Sequence, residues 1–276
     1  QSFPQITTTK IHLDPRFPIS RKMALNVGIK SAHYECMVFT STDAVPQTDR
    51  WLSLMAKGFM RGEIVVGYCG VERGKGFSNY MMRAWRMMHS ADWIARAVQR
   101  RAYRGTLHNY GFTKSLYFGA NGFSHLNMNI GEDDLFMQRV MSRDNVSVIL
   151  SPRASLREKM WGGMGWWMSQ LRYFGSAFRF YPRAVKTFVR WEIGSRVLFF
   201  ATVVCALAVM PPEYKLAALL LAVIRYVVVA FEVRRIARRL GEGGIAGRYF
   251  IYDLLGPLWA AALGAMLLRR DNRVWR

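Results

Sequence analysis

The chain has 276 residues, 51% of them hydrophobic and 14% aromatic, and carries a formal net charge of +21 with a pI near 10.5. That length holds one large domain, or one domain with an appendage, and the charge points to an anionic partner: a membrane surface, nucleic acid or a phosphorylated substrate. Cys36, Cys69 and Cys205 are scattered and form no C-x-x-C pair; this argues against a disulfide framework and a thiolate zinc site and fits a reducing compartment. Nucleic acid is the weakest of the three partners, because apolar residues crowd into the last third and Lys and Arg flank the apolar runs, as at the cytoplasmic face of a membrane.

Residues 6–13 read as a short strand, followed by a loop containing Pro15 and Pro18. Ser20 caps a predicted helix over 21–32, with apolar positions at Met23, Ala24, Val27 and Ile29. The continuous apolar run 36–40 has strand length, and a strand apolar on both faces is expected in the middle of a covered sheet. It ends in Ser41-Thr42-Asp43. A helix over 51–59 leads to a second buried strand at 63–68. Alternating strands and helices predict a parallel α/β sheet. Ligands bind such sheets beyond the carboxyl ends of strands, where Asp43 lies.

The segment 79–104, rich in Met, Trp and Arg, reads as an amphipathic basic helix. It either lies on an anionic bilayer, lines an anionic groove or presents an ordinary solvated face. Gly131-Glu132-Asp133-Asp134-Leu135-Phe136 then sets three carboxylates in a row ahead of a helical pattern over 135–141. Acidic residues there either complement the helix dipole or include a catalytic base with neighbours that bind acceptor or metal. Another buried strand is predicted at 146–150. The Gly- and Trp-rich run 161–167 has no phosphate-loop pattern and reads as an interfacial or gating loop. An amphipathic segment over 166–181 follows. The five histidines show no metal-ligand spacing.

Three apolar runs close the chain, at 197–210, 216–233 and 250–268. A span needs about 20 residues, so each is marginal alone, but their succession predicts membrane association. The positive-inside rule puts the arginine-rich linker 234–239 in the cytoplasm, which makes the first two runs a hairpin. If the basic tail 269–276 is cytoplasmic too, the third run is interfacial or re-entrant, in keeping with Asp253 and Pro257. The expected organisation is an α/β domain over 1–190 and a membrane-associated helical region over 191–276.

The blocks 20–30, 39–46 (Phe-Thr-Ser-Thr-Asp-Ala-Val-Pro), 66–68 with 75–77, 109–114, Gly122-Phe123, His125, 131–136 and 166–173 follow one another in a telling order. Order and spacing together resemble a membrane-bound family 2 glycosyltransferase over nearly the whole chain. The resemblance implies an incomplete Rossmann-like, glycosyltransferase A-type, mostly parallel sheet with C-terminal transmembrane or interfacial helices. It implies inverting transfer of a sugar from a nucleotide-sugar donor to a lipid-linked or polysaccharide acceptor. The site would face the cytoplasm at the inner membrane, with no nucleic-acid partner. A divalent ion, Mg²⁺ or Mn²⁺, is expected to neutralise the donor diphosphate. By position Asp43 is the metal-side acid, and Glu132 or Asp133 is the base. Arg172 faces the leaving diphosphate and Lys22 lies in the donor half. Asn109, His125 and Asp134 border the acceptor.

The chain departs from that pattern in several places. Ser41 stands where the first Asp of the metal pair is expected, Ser169 stands for a Gln, Tyr173 for a His and His108 for an Arg. The family's opening strand has no counterpart after Gln1; it is expected upstream, in a separate polypeptide, or lost. These departures favour an alternative: a non-catalytic glycosyltransferase-like subunit that scaffolds or regulates a polysaccharide synthase.

Overall fold

The computed structural model describes residues 6–11, 20–106, 108–124 and 134–268, with the side chains of 262–268 left aside. The Ser20 hydroxyl accepts the Met23 N–H and starts α1 (Arg21–Ser31), as its capping chemistry predicts. β1 (Cys36–Phe39) and β2 (Ala44–Pro46) flank the Ser41-Thr42-Asp43 turn, and α2 (Trp51–Gly58) leads into β3 (Ile64–Gly67). β4 (Cys69–Val71), α3 (Phe77–Val98), β5 (Tyr110–Thr113) and α4 (Lys114–Gly119) follow. Then come α5 (Leu135–Val140), β6 (Val146–Ile149) and β7 (Leu156–Glu158). The last helices are α6 (Met164–Phe178), α7 (Arg183–Val209), α8 (Pro212–Leu240) and α9 (Tyr249–Leu268). Of the strand expected at 6–13, the described part, 6–11, is not in a sheet.

The fold is mixed α/β, with two small mixed sheets in place of the mostly parallel one expected. In the first, ordered β1-β5-β3-β6, β3 runs parallel to β6, while β5 is antiparallel to both β1 and β3. In the second, β7 lies between β2, antiparallel to it, and β4, parallel to it. Alternation predicts parallel strands only when each helix returns the chain to the same end of the sheet. After α3 the chain runs on before β5, which enters from the opposite end. β3 is central and fully buried, as its unbroken apolar run requires. β1, expected inside the sheet, pairs with β5 alone among the described residues, and Cys36 is exposed.

Helix α3 corrects another expectation. It is a core helix rather than a basic helix on a bilayer: Met81, Met82, Ala84 and Met87 are fully buried. Arg83 and Arg86 are buried as well, each 2.7 Å from a buried carboxylate, Glu242 and Glu158 respectively. Ion pairs with residues far away in sequence hide two charges that read locally as a polar face. The Trp-rich run also divides. Trp161 is exposed, whereas Trp167, on α6, is buried, with its ring 5.1 Å from that of Trp259 on α9.

Helices α7 and α8 are long and apolar enough to cross a membrane, and little of their apolar length is buried. They form the expected hairpin around Pro211-Pro212, and α7 runs unbroken across residue 190. A charge inside this hairpin is neutralised: Arg225 of α8 donates to Asp253 of α9 at 2.5 Å. The third run, α9, also packs on α3 and α6, with Tyr249 and Tyr252 in the main core.

The domain end of α8 is clamped. Gly241 takes φ +68 and caps the helix, a conformation glycine adopts without strain. The next residue, Glu242, is 4% exposed. It accepts hydrogen bonds from Tyr68 Oη at 2.8 Å and Arg83 at 2.7 Å, and lies 3.4 Å from Arg157. Arg157 also donates to the carbonyls of Leu240 and Gly241. A Cβ at Gly70 would collide with Glu242 and Arg157, so only glycine lets the clamp close over β4.

A half-buried titrating group on α3 gives the first prediction. Burial raises the Asp92 carboxyl to about 6, although Tyr103 Oη donates to it at 3.1 Å. The folded state then holds a proton that the unfolded state has released between its ordinary value and about 6, so stability falls as pH rises through that window. Asp92→Asn should remove this loss: its melting temperature relative to wild type should be higher at pH 7 than at pH 4. Thermal unfolding in detergent at the two pH values checks it.

Candidate functional site

Three side chains from distant parts of the sequence meet at one point. Asp43 comes from the turn between β1 and β2, His108 from just before β5, and Glu158 from the end of β7. Their donor atoms lie within 4.8 Å of one another. Strand pairing explains the meeting. Ala44 of β2 and Val71 of β4 both face Glu158 across β7. The Lys159 N–H donates to the Asp43 carbonyl at 3.1 Å, which holds the turn against the strand end. Ser41 fills the space between two of the three: its hydroxyl donates to the Asp43 carboxylate and lies 2.9 Å from His108 Nδ1. His108 Nε2 is 3.8 Å from Glu158 Oε2.

Environment separates the two carboxylates. Glu158 is 2% exposed; burial raises its pKa, and the charge of Asp43 adds to the rise, while Arg86 opposes it. Partial burial also pushes Asp43 upward. Hydrogen bonds from Ser41 and its own backbone, with His108 and Trp161 nearby, outweigh that and leave it below the ordinary aspartate value. The site therefore pairs a half-exposed Asp, held below its ordinary value, with a desolvated Glu whose ionised form is favoured chiefly by Arg86.

Two carboxylates and an imidazole at this spacing are a group that could hold a divalent ion, and the nitrogen donor would suit Mn²⁺ better than Mg²⁺, which prefers oxygen throughout. The cluster also has partners without an ion, since Arg86 neutralises Glu158 while Ser41 hydrogen bonds Asp43.

Cations and aromatics border the cluster. Trp161 is 65% exposed, with the Lys159 ammonium 4.7 Å from its ring centre. The charge of Arg21, the first residue of α1, favours ionised Glu158, and its guanidinium lies 5.8 Å from the Tyr173 ring on α6. The start of α1, the middle of α6 and the loop after β7 thus approach one place. Lys22, next to Arg21, is half-buried, and Arg172, next to Tyr173, is exposed.

Two other expected site residues are engaged inside the domain. Asn109 is fully buried and acts as a tie inside the domain: its amide donates to the carbonyls of Tyr68 and Ala154, and its oxygen accepts from Trp51 Nε1, each at 2.9 Å. Asp134, 2% exposed, caps α5 by accepting the Leu135 N–H, and also accepts from Tyr181 Oη at 2.7 Å. The helix-capping alternative for the acidic run therefore holds for this residue. Glu132, Asp133 and His125 lie outside the described residues. Sequence reasoning missed Glu158 and Arg86 and read His108 only as a departure. Leu156-Arg157-Glu158 reads locally as a polar strand end, and Arg86 as one of several arginines on α3, so local reading cannot separate either from a solvent-facing position.

Compared with known proteins, the chain matches no protein-family model and no curated protein.

The Arg86–Glu158 pair gives the second prediction. Arg86→Met leaves a buried carboxylate unpaired beside Asp43 and should destabilise the fold by about 3–5 kcal/mol. Glu158→Gln, added to it, should restore part of that loss, because no charge is then stranded. A double-mutant cycle from denaturant or thermal unfolding measures the coupling.

Proposed function

We propose that the protein transfers a sugar, with inversion, from a nucleotide-sugar donor to a lipid-linked or polysaccharide acceptor at a membrane surface. The observation that carries the reading is the Asp43–His108–Glu158 cluster, bordered by Arg21 and Lys159, on a domain bound to two long apolar helices. The order of sequence blocks supplies the family resemblance. Asp43 falls where that resemblance places an acid that serves the donor diphosphate.

The reading assigns each group a task. Asp43, His108 and Glu158 would hold a divalent ion, which supplies positive charge against the donor diphosphate. Ser41 orients Asp43 and His108 through its hydroxyl. Arg86 fixes Glu158 and limits the charge that must be buried. Arg21 and Lys159, being exposed, bind phosphate oxygens, and Lys22 and Arg172 add to the same field. Trp161 offers an apolar ring face to a sugar or base. Glu132 or Asp133, on the resemblance alone, takes the proton from the acceptor hydroxyl as that oxygen attacks the anomeric carbon and the nucleoside diphosphate departs. In cells the site would face the cytoplasm, since the arginines after the second apolar helix obey the positive-inside rule.

A second reading has its own support. Ser41 replaces an expected carboxylate, and Asn109 is fully engaged inside the domain. Both suit a glycosyltransferase-like subunit that scaffolds or regulates a synthase without turning over.

Donor hydrolysis by the membrane-purified protein separates the two readings. With Mn²⁺ and a panel of nucleotide sugars, wild type should release nucleoside diphosphate. Asp43→Asn and His108→Ala should each lose roughly 100-fold or more, the scale of removing one preorganised electrostatic contact. Trp161→Ala should raise KM more than it lowers kcat. Absent turnover from folded wild type across the panel would sink the enzyme reading and leave the scaffold.

A further inference from the structure

Helix α8 carries an apolar stripe on its outward side. Ile224, Val227, Val228 and Phe231 are 50%, 60%, 56% and 60% exposed and follow helical spacing. The same side continues into Arg235, Arg238 and Arg239, all exposed. The opposite side, Val233, Ala237 and Leu240, is buried against the domain, so the helix cannot turn this stripe inward. Phe231 and the three arginines line a concavity of about 420 Å³. None of the three guanidinium groups has an ion-pair partner among the described residues. This contrasts with Arg83, Arg86, Arg157, Arg196 and Arg225, all of which are paired.

We propose that this concavity binds the phosphate of an anionic glycerophospholipid, with an acyl chain lying along the 224–231 stripe. The shape of the surface selects an amphiphile. About 10 Å of apolar helix wall, at 1.5 Å per residue, ends in three fork-shaped donors that match phosphate oxygens bidentately. Phe231 sits at the junction, where a ring covers the glycerol region. Diffuse attraction to a charged bilayer needs only net charge; a bound lipid needs several donors beside an apolar wall, and the three arginines and Phe231 line one concavity. Inorganic phosphate would use the arginines but not the stripe. The proposal rests on α8 lying in a bilayer and is independent of the transferase reading, so failed sugar transfer would not touch it.

Native mass spectrometry of the full chain released from nanodiscs tests it. In nanodiscs of equal parts phosphatidylcholine and phosphatidylglycerol, the protein should retain phosphatidylglycerol in preference. The variant R235Q/R238Q/R239Q should retain it roughly tenfold less, the loss of at least one charge-assisted hydrogen bond. The charge-matched variant R61Q/R143Q/R153Q, altered at exposed arginines elsewhere, should retain it like wild type. The single variant R238Q should fall between, which keeps the test decisive if the triple variant misfolds. Equal retention of both lipids by wild type, or equal loss in the charge-matched control, overturns the site. Displacement of the retained lipid by excess inorganic phosphate would show a free-phosphate site and overturn the lipid assignment.

Discussion

Glu242 joins the apolar helices to the sheets. It follows Gly241, the cap of α8, is almost completely buried, and is shared by Tyr68 beside β4, Arg83 on α3 and Arg157 on β7. A buried carboxylate is costly unless its charge and lone pairs are met. Here both oxygens have partners, and Arg157 adds bonds to the last carbonyls of the helix. The arrangement fixes where α8 leaves the domain. It also fixes which side of α8 faces outward, since Val233, Ala237 and Leu240 must then turn inward.

Two of these elements, α3 and β7, also hold the candidate site. Arg83 and Arg86 stand three residues apart on one side of α3, one reaching Glu242 and the other Glu158. Successive residues of β7 point to opposite faces, so Arg157 serves the clamp while Glu158 serves the cluster with Asp43 and His108. Anchor and cluster are therefore neighbours by construction: α3 and β7 cannot move one without moving the other. For a transferase working on a membrane-bound acceptor, this would hold the reacting groups at a constant height above the lipid.

Charge is handled differently inside the apolar helices. Arg225 interrupts the second run, where an isolated guanidinium is expensive in hydrocarbon. It is met by Asp253 on α9, which also lies 3.7 Å from Arg196 of α7. One carboxylate thus draws three helices together. This gives α9, which packs on α3 and α6 as well, a reason to stay beside the hairpin. Asp253, which in sequence was in keeping with an interfacial or re-entrant third run, is a partner for a charge on another helix.

The sequence by itself determined most local elements. Ser20 and its helix, the buried run of β3, the turn after β1, the helix after Asp134 and the two long apolar helices follow from capping, periodicity and length, which act over a few residues. It also singled out Asp43. Only the tertiary structure decided the direction of β5, the burial of α3 and the company that Asp43 keeps. Those depend on contacts between residues tens to hundreds of positions apart, such as Arg83 with Glu242 or Asp43 with His108 and Glu158. An arginine bound for solvent and one bound for a buried carboxylate look the same in sequence, because the charge that settles the difference arrives from another part of the chain.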